Sequence, residues 1–549
     1  MSDLALGLDL GTGSVRAVVV ACDGGAERAA AVVPYAHGEA GVIGDPREPE
    51  VARQHPGDYR EAVVAAVREV TAEVDPGRIV GIGVDTTAST PLPIDGRGRP
   101  LTDDPRFAGR LAAMAWLWKD HSAHAEADEI TAAARAARPE FLQRCGGTYS
   151  SEWFWSKALR CLRTDPEVFA AAATFVEVCD YVPAMLCGLR EPAAIRRGIC
   201  AAGHKGLFAA DWGGYPDEAF LAAIDPRLVA LRRSLPGEAA TVDRPAGKVA
   251  PEIAAATGLR AETPVAIGAI DAHVGALGAG IRPGDLVKVV GTSTCDLAVV
   301  DGDRLPDVTG LCGVVPGSIL PGLFGIEAGQ PAVGDAFAWC ARLLGRRLDE
   351  LEVEAARVGA GASGLLALDW LNGNRSVLVD PELSGAVIGL GLHTSGGELY
   401  RAVIEASAFG ARVIVERMRQ AGVSIERVIA CGGIARKSPL VMQVLADVLG
   451  TEVLVSPVDE TCALGAAICG AVAAGRFADV EAGQRAMCCG DGSRHVPEPT
   501  SAARYDELYA LYRRLHDSFG NARRHDALGD VMKALLRIRR QARREQELQ

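Results

Sequence analysis

The chain has 549 residues, of which 49% are hydrophobic and 23% are charged. This composition is ordinary for a soluble globular protein, and at about 100–200 residues per domain the length predicts more than one domain. The formal net charge of -13 argues against a nucleic-acid-binding protein, which needs a basic surface.

The cysteines and the N-terminal segment bear on the cellular compartment. Fourteen cysteines are scattered along the chain without a C-x-x-C pair, a pattern typical of free thiols in a reducing compartment. Charged residues interrupt residues 1–20, so no signal peptide is predicted there. No uncharged apolar run is long enough to cross a bilayer. We therefore expect a cytoplasmic protein that binds neither membrane nor nucleic acid.

Residues 4–21 predict two strands around a glycine-rich turn. The turn contains Thr12, Gly13 and Ser14, and Arg16 follows it. Glycines allow close backbone approach, and successive N–H groups with hydroxyls form an anion cradle. The pattern lacks the third glycine of a dinucleotide fingerprint and leads into a strand rather than a helix. No P-loop motif occurs elsewhere.

Asp9 ends the first of these strands, directly before the turn. A carboxylate beside a phosphate cradle would repel phosphate unless a cation lay between them. One interpretation is therefore a Mg²⁺ site, reached through water because Mg²⁺ retains several of its waters. A turn-forming aspartate without a metal is the alternative.

The next elements predict a helix and a strand. Residues 56–74 are helical in pattern, with a proline at the start. Residues 79–85 form a buried strand that ends in Asp85 and four hydroxyl residues, which suits either a cleft or an ordinary capped turn. Residues 91–95 with the following GRG turn predict a hairpin.

Tryptophans cluster in the following region. Residues 104–136 are predicted to be largely helical and contain Trp116 and Trp118. These rings suit either a sugar-binding platform or core packing. Residues 202–205, AGHK, are predicted to be loop.

Asp271 is the only carboxylate in the apolar stretch 264–281. An apolar strand runs into it and an Ala/Gly-rich helix leaves it. A buried acid needs a partner or a chemical role. A general base is the favoured interpretation, and a helix N-cap is the alternative.

Residues 285–300 repeat the first pattern of strand, glycine turn and strand. The second turn contains Gly291, Thr292 and Ser293. Two similar cradles predict two similar lobes that grip the phosphates of a nucleotide, and we place the lobes at residues 1–280 and 281–549. Glu327 lies downstream in a glycine-bounded segment.

The C-terminal half is predicted to be mainly helical. Helices are expected at residues 331–345, 395–421, 438–449, 460–475 and 501–522, and a strand at residues 427–430. The strand leads into Gly432 and Gly433, where the bend suits either an adenine-binding shelf or an ordinary βα loop. The basic run of arginines at residues 537–544 is expected to be a solvated helix end, and a partner contact is the alternative.

At this point the residues resemble a known family, the FGGY carbohydrate kinases, from residue 4 to about residue 517. The turns DLGTGSVRAVV and VVGTSTCDL and the segment CGGIARKSPLVMQVLADVLG carry the phosphate and adenosine motifs. Within the family, the segments RQHPGDY, GVDTTASTPLPID, YSSEWFWSK, EAGQPAVGDAFAW and DWLNGNRS resemble the bacterial ribulokinases. The resemblance implies an α/β fold of two actin-like (ribonuclease H-like) ATPase lobes with the catalytic cleft between them.

The resemblance also implies a role for individual residues. Asp271 matches the catalytic aspartate, and Asp9 and Asp271 match metal-associated carboxylates. The ATP-binding positions implied are Thr12, Gly13, Ser14, Arg16, Gly291, Thr292, Ser293, Gly432, Gly433 and Lys437. The substrate-binding positions implied are Ala88, Lys205, Asp271 and Glu327.

The implied reaction is phosphorylation of L-ribulose by ATP with Mg²⁺, in L-arabinose catabolism, by a homodimer. The turn at residues 86–89 and the residues after Lys205 depart from relatives, so they leave the sugar preference open. The alternatives are an FGGY kinase for D-ribulose, xylulose or glycerol, and an actin-like scaffold or chaperone that uses ATP as a conformational switch. A non-catalytic sugar sensor would need a damaged ATP site, and none is found.

Overall fold

The computed structural model of the chain describes residues 2–302, 308–521 and 531–547. Its N-terminal half contains two kinds of region, a mixed sheet and a largely helical part. The strands of this half are β1 Leu4–Leu10, β2 Ser14–Ala21, β3 Glu27–Pro34, β4 Ile43–Asp45, β5 Glu48–Gln54, β6 Ile79–Thr86, β7 Pro91–Ile94, β8 Ala115–Trp116, β9 Thr174–Glu177, β10 Pro245–Lys248, β11 Pro264–Ala266 and β12 Ala269–Ile270. The α-helices of this half are α1 Pro56–Glu73, α2 His124–Ala137, α3 Pro139–Gln143, α4 Phe154–Thr164, α5 Pro166–Ala171, α6 Val178–Leu186, α7 Ile199–Gly206, α8 Glu218–Ile224, α9 Leu228–Ser234, α10 Pro251–Thr257 and α11 Asp271–Gly278.

The C-terminal half holds the second mixed sheet. Its strands are β13 Gly284–Val290, β14 Thr294–Val300, β15 Gly313–Pro316, β16 Phe324–Ala328, β17 Leu366–Leu368, β18 Ala386–Ile388, β19 Ile425–Cys431, β20 Val453–Val455 and β21 Arg494–His495. Its α-helices are α12 Gly334–Leu344, α13 Leu348–Ala356, α14 Gly396–Gln420, α15 Gly433–Lys437, α16 Pro439–Leu449, α17 Thr461–Ala473, α18 Val480–Met487, α19 Pro499–Gly520 and α20 Val531–Glu547.

The two main sheets repeat one topology. The first has the order β3-β2-β1-β6-β11-β10, with β12 beside β6, and the second has the order β15-β16-β14-β13-β19-β20-β21. In each sheet the central strand, β1 or β13, pairs antiparallel with the strand after its glycine turn and parallel with the strand on its other side. Both central strands are almost continuously buried because they are covered on both faces. The repeat predicted from the two cradles is therefore confirmed.

Helices α11 and α17 lie between the two sheets and share one core with them. This core combines apolar residues of β1 and β2 with residues of β13, β14 and β19. Helix α17 lies so close to the first sheet that a Cβ at Gly83 would stand 1.8 Å from the carbonyl oxygen of Ala466, and one at Gly7 would stand 1.9 Å from that of Ala463. The absence of side chains at these positions allows the contact. A helix from the second half of the sequence thus covers the sheet of the first half.

The predicted helices at residues 56–74, 331–345, 395–421, 438–449, 460–475 and 501–522 are confirmed, as are the strands on both sides of each glycine turn. The basic C-terminal run lies on α20, where Arg543 donates to the Ala362 carbonyl oxygen at 3.1 Å and to Glu398 at 2.5 Å.

The helix predicted over residues 104–136 is wrong in its first part, because α2 begins only at His124. The preceding segment forms β8, in which Trp116 pairs with Arg53 of β5. Asp120 is fully buried and accepts hydrogen bonds from the backbone N–H of Ala52 at 2.7 Å and of Ser122 at 3.2 Å. These bonds satisfy an irregular backbone that a helix would otherwise satisfy internally.

The loop predicted for residues 202–205 is also wrong, because these residues belong to α7. Gly203 suggested a loop, but its role is close packing: a Cβ there would stand 2.4 Å from Cγ1 of Val315. The hairpin predicted from residues 91–95 and the GRG turn is confirmed as a short one, since Ile94 forms an antiparallel bridge with Pro100 and the N–H of Asp95 donates to the carbonyl oxygen of Arg99 at 2.8 Å. The longer pairing of β7 is with β9.

Candidate active site

The carboxyl ends of β1, β6 and β12 bring three aspartates to one edge of the first sheet. Asp9 and Asp85 occupy paired positions in the parallel strands β1 and β6. Strand β12 pairs with β6 through Ala269 and Asp85, and Asp271 begins α11 directly after β12. Side chains at paired positions of neighbouring strands point to the same face, which places Asp9 beside Asp85. Asp271 lies close enough that its charge raises the pKa of Asp85, so the three acids form one cluster, here called the aspartate cluster.

Asp85 is the most deeply buried member of the aspartate cluster. Its exposed fraction is 0%, and among the residues that the structure describes no N–H or hydroxyl group donates to either carboxylate oxygen, which leaves the neighbouring Asp9 carboxyl as its side-chain partner. Burial raises the pKa of Asp85 well above its usual value, and the charges of Asp9 and Asp271 raise it further. A buried carboxyl group in this setting is neutralised either by a proton or by a bound cation.

Asp271 is the member of the aspartate cluster whose pKa burial moves into the neutral range. Burial raises its pKa to about 7, with a further contribution from the charge of Asp9. Its Oδ1 accepts a hydrogen bond from the N–H of Ala272 at 2.6 Å. Asp271 is the first residue of α11 and Ile270 is its N-cap, so Asp271 is not the N-cap. A base whose pKa lies near the operating pH transfers protons efficiently.

Two side chains hydrogen-bond to the first glycine turn. Trp118 donates from Nε1 to the hydroxyl of Thr12 at 3.0 Å, and Gln54 donates to the carbonyl oxygen of Thr12 at 2.7 Å. Gly13 accepts from the N–H of Tyr35 at 2.9 Å. Trp118 therefore supports the turn, whereas Trp116 belongs to an aromatic core, which separates the two tryptophans that sequence alone left ambiguous.

Ser14 and Arg16 begin β2, on the exit side of the same turn. Nη1 of Arg16 contacts Glu460 at 2.6 Å and Asp9 at 3.5 Å. Glu460 precedes α17, so this arginine links the first turn to the helix that lies between the sheets.

The second glycine turn meets the predicted adenosine segment. The carbonyl oxygen of Thr292 accepts from the N–H of Val333 at 2.8 Å, and the N–H of Gly291 donates to the carbonyl oxygen of Ser293 at 3.0 Å. Gly432 has a φ of 95°, and a Cβ there would stand 2.7 Å from the carbonyl oxygen of Val290. The structure therefore brings the second turn and the Gly432 bend together.

The remaining two predicted adenosine residues lie on the short helix that follows the bend. Gly433 begins α15 and Lys437 ends it, and both are exposed. Lys437 stands at the far end of that helix, one turn away from the glycines.

Lys205 and Glu327 form an ion pair across the two halves of the chain. Nζ of Lys205 donates to both carboxylate oxygens of Glu327 at 2.9 Å. The Lys205 ammonium group also lies 5.4 Å from the ring centre of Trp153. Burial would raise the pKa of Glu327, but the charge and hydrogen bonds of Lys205 together with the neighbouring His204 and His273 outweigh burial, so the pKa of Glu327 is lowered. The pair is therefore ionised and places a cation and an anion side by side near Asp271.

Two buried histidines complete this part of the site and were not singled out from the sequence. Nδ1 of His204 lies 3.5 Å from Oε2 of Glu327, and Nε2 of His273 lies 3.6 Å from the same oxygen. Burial lowers the pKa of His273 to about 4 and that of His204 well below its usual value, so both rings are neutral at pH 7. The sequence signal that could have identified His273 is its position two residues after Asp271.

Ala88 lies in the turn after β6, and this turn is fixed by a buried lysine and a buried glutamate. Nζ of Lys157 donates to the carbonyl oxygen of Ser89 at 2.7 Å and to that of Leu117 at 2.8 Å. Glu177 accepts from the N–H of Thr90 at 2.6 Å. Lys157 therefore connects the Ala88 turn to the segment that carries Trp118.

Among the described residues, no helix is long and apolar enough to cross a membrane. All fourteen cysteines are free thiols, and Cys489 is the exposed one among them.

Comparison with known proteins places this geometry in a family. Residues 4–278 match the N-terminal domain, and residues 286–474 the C-terminal domain, of the FGGY family of carbohydrate kinases. A ribulokinase from Shouchella clausii is 42% identical over 568 aligned residues, covering 99% of this chain and 99% of the relative. A ribulokinase from Mycolicibacterium smegmatis is 40% identical, with 94% of each chain covered.

Solved structures agree on the fold. A xylulose kinase from Rhodospirillum rubrum superposes with a TM-score of 0.75 at 27% identity, covering 94% of this chain and 99% of that one. A xylulose kinase from Lactobacillus acidophilus superposes with a TM-score of 0.79 at 20% identity, with the same coverage. The predicted fold of two actin-like lobes is confirmed. From its two matched domains and its full-length relatives, the chain belongs to the FGGY family of carbohydrate kinases.

Proposed function

We propose that the chain transfers the γ-phosphoryl group of ATP to L-ribulose, giving L-ribulose 5-phosphate and ADP. The observation that carries this proposal is the position of the Lys205–Glu327 pair beside Asp271, at the edge of the sheet that also bears the first phosphate turn. Relatives named ribulokinase match over nearly the whole chain, which supports the choice of ketose. L-Arabinose catabolism is the setting that this reaction implies.

Asp271 is the general base of the proposed reaction. The C5 hydroxyl of the ketose attacks the γ-phosphorus, the bond from that phosphorus to the β,γ-bridging oxygen breaks, and ADP leaves. Asp271 accepts the hydroxyl proton as the new O–P bond forms. Its pKa of about 7 lets the carboxylate be present in a large fraction of molecules at neutral pH and still bind the proton.

Lys205 and Glu327 orient the ketose so that one hydroxyl reaches the phosphorus. The ammonium group donates to sugar oxygens, and the carboxylate accepts from sugar hydroxyls. Ala88 supplies a small side chain in a turn held by Lys157, which leaves room for the sugar beside it. Such positioning contributes to rate by removing motional freedom before the reaction.

The two glycine turns hold the nucleotide. Backbone N–H groups around Thr12, Gly13 and Ser14, and around Gly291, Thr292 and Ser293, would bind phosphate oxygens, with Arg16 adding positive charge. Gly432 and Gly433 would form the shelf for the adenosine, and Lys437 lies at its outer end.

The aspartate cluster fits a magnesium ion. Asp85 is buried with no N–H or hydroxyl donor among the described residues, and Asp9 and Asp271 offer further carboxylate oxygens, the donor type that Mg²⁺ prefers. Asp9 and Asp271 would hold the ion, either directly or through water molecules that bridge the carboxylate oxygens and the ion. When bound, Mg²⁺ supplies positive charge to neutralise the phosphate oxygens.

Xylulose is the second candidate acceptor. The structural match to a xylulose kinase at 27% identity favours it over other polyols. The phosphate turns do not discriminate between these ketoses because they contact only the nucleotide.

A coupled assay of ADP release tests the proposal. Purified protein with Mg-ATP would be offered L-ribulose, D-ribulose, L-xylulose, D-xylulose, ribitol and glycerol, with a control lacking sugar. The highest kcat/KM on L-ribulose is expected. A preference for a xylulose would reassign the sugar, and ADP release that ignores every sugar would contradict the proposal.

The lobe boundaries, the cellular location and the oligomeric state of the chain belong to the same proposal. We assign residues 1–280 and 281–549 to the two lobes, with sugar contacts mainly in the first and adenosine contacts in the second. A cytoplasmic location suits a chain whose fourteen cysteines are free thiols. A homodimer rests on the family resemblance and would be tested by light scattering during size-exclusion chromatography.

A further inference from the structure

His273 is a buried imidazole whose two ring nitrogens both lack a hydrogen-bond partner among the described residues. Its exposed fraction is 1%. Leaving a buried polar group unpaired costs about 1–3 kcal/mol, so native structures seldom retain one without a reason. The surroundings of His273 supply a reason.

Oε2 of Glu327 lies 3.6 Å from Nε2 of His273. This distance exceeds the usual range of about 2.7–3.2 Å for an N–H···O hydrogen bond. The same oxygen already accepts from Lys205 at 2.9 Å and lies 3.5 Å from Nδ1 of His204. Lys205 therefore occupies the acceptor that His273 approaches.

Sugar binding would change this competition. Lys205 has three N–H groups and directs two of them to Glu327, so a ketose that accepts two hydrogen bonds from Lys205 takes one of them away from a Glu327 oxygen. His204 is already engaged through Nε2 with the hydroxyl of Ser318 at 3.0 Å. Neither ring nitrogen of His273 has a hydrogen-bond partner among the described residues, so Nε2 of His273 can donate to the Glu327 oxygen that Lys205 leaves.

The three groups His204, His273 and Glu327 also have the spacing of a metal site. The Lys205 ammonium group argues against a metal, because it occupies both carboxylate oxygens and would repel a second cation. The pocket is therefore better suited to an uncharged polyhydroxy ligand than to a metal ion.

We propose that His273 is a positioning residue of the sugar pocket: it donates from Nε2 to Oε2 of Glu327 when a sugar hydroxyl displaces Lys205. This inference rests on the proposed kinase function. It makes Glu327 bind the ketose through Oε1 while His273 holds Oε2, and it relieves the unpaired state of the imidazole only when sugar is bound. His273 thus contributes to sugar affinity without contacting the reacting atoms.

The test compares His273→Leu with His273→Gln, since glutamine keeps an N–H near the position of Nε2. With the best acceptor from the sugar panel, His273→Leu should raise the KM for sugar by on the order of tenfold to a hundredfold. Its kcat and its KM for ATP should stay within about threefold of the parent values, the scatter expected when no transition-state contact is lost. His273→Gln should recover most of the sugar affinity.

His516→Leu is the matched control. His516 is equally buried, at 2% exposure, but packs against Trp370 and Tyr512 in the C-terminal half. Its loss should lower the melting temperature and leave the KM for sugar unchanged. An unchanged KM for sugar in His273→Leu, or an equal loss in His273→Gln, would overturn the inference.

A measurement on the unaltered protein covers the case in which His273→Leu fails to fold. In a sample labelled with ¹⁵N-histidine, the ketose without ATP should shift the ring resonance of His273, assigned by its absence in His273→Gln, and leave that of His516 unmoved. A His273 ring that does not respond to saturating sugar would overturn the inference. If sugars are phosphorylated but the His273 ring resonance does not shift, the proposed function stands and this inference fails. If no sugar is phosphorylated, the proposed function and this inference both fail.

Discussion

Lys205 and Glu327 lie 122 residues apart in the chain and belong to different halves of it, yet Nζ of Lys205 reaches both carboxylate oxygens at 2.9 Å. Lys205 comes from α7 beside the first sheet, and Glu327 comes from β16 of the second. The side chains retain exposed fractions of only 4% and 12%. The pair therefore joins the two lobes at the place where we expect the sugar to bind.

Removing one member of this pair should harm both stability and sugar binding. Lys205→Met leaves the buried Glu327 carboxylate unpaired, and breaking a buried pair in this way costs about 3–5 kcal/mol. Glu327→Gln should cost less, because an amide can still accept from the lysine. The double variant, Lys205→Met with Glu327→Gln, should be more stable than Lys205→Met alone, because it leaves no unpaired buried charge. Urea unfolding would measure both free energies of unfolding. A double variant no more stable than Lys205→Met would contradict an energetic coupling between the two.

Asp271→Asn should lower kcat by several orders of magnitude while sugar binding survives. An amide cannot take up the hydroxyl proton, and general-base catalysis alone contributes about 10²–10⁴-fold. Coupled ADP release gives kcat, and calorimetry gives the sugar affinity. Asp95→Asn, in the remote turn after β7, is the control and should keep the parent rate. Near-normal turnover of Asp271→Asn would exclude it as the base.

The pH dependence of kcat/KM should report Asp271. Its pKa is about 7 and the base must be deprotonated, so kcat/KM should rise with pH up to about 7 and level off above it. Removing the charge of Asp9 with Asp9→Asn should move the midpoint to lower pH, because that charge raises the pKa of Asp271. Lys205→Met should move the midpoint to higher pH, because the lysine lowers this pKa. Shifts in the same direction would be inconsistent with this assignment.

Asp85→Asn should stabilise the protein without magnesium, and increasingly so as pH rises from 4 to 8. Burial raises the folded-state pKa of Asp85 above its unfolded value of about 3.9. Its favourable contribution is complete below that pH and is lost as the pH rises through the folded pKa, at about 1.4 kcal/mol per unit. An asparagine does not ionise and avoids this loss. Melting temperatures in EDTA would measure it.

Asp95→Asn should show the opposite pH dependence in the same measurement of melting temperature. Burial would raise the pKa of Asp95, but hydrogen bonds from Arg99 and Arg97 outweigh it and lower the pKa. Its stabilising contribution is therefore present above the unfolded pKa and lost as pH falls, so the substitution should lower the melting temperature at pH 7. A stability gain for Asp85→Asn that does not grow with pH would argue that Asp85 is not kept protonated.

Gly83→Ala should separate α17 from the first sheet. The added methyl would stand 1.8 Å from the carbonyl oxygen of Ala466, which is backbone and cannot move aside alone. Overpacking of this kind costs about 1–3 kcal/mol or more. Gly96→Ala is the control, since a Cβ there meets nothing within 4 Å. Equal unfolding midpoints in urea for both variants would argue against close packing at Gly83.

Much of the local structure could be predicted from short stretches of sequence. The strands around both glycine turns, α1 and α14 have apolar patterns that match their final burial. The placement of Asp9 and Asp271 at strand ends followed from the same patterns, whereas their roles in metal binding and catalysis stay predictions. Errors occurred where a long-range contact overrode local preference, as in the buried Asp120 segment and in Gly203 of α7.

The amino-acid sequence by itself determined the two strand-turn-strand units, their repetition and the carboxylates at their edges, because these depend on residues a few positions apart. Only the tertiary structure decided that Asp85 is buried beside Asp9 with no N–H or hydroxyl donor among the described residues, that Lys205 pairs with Glu327 and that His273 lies beside that pair. These features depend on desolvation and on contacts between residues far apart in the chain. Local patterns cannot encode them, because burial and charge pairing exist only once the two sheets and the helices between them have packed together.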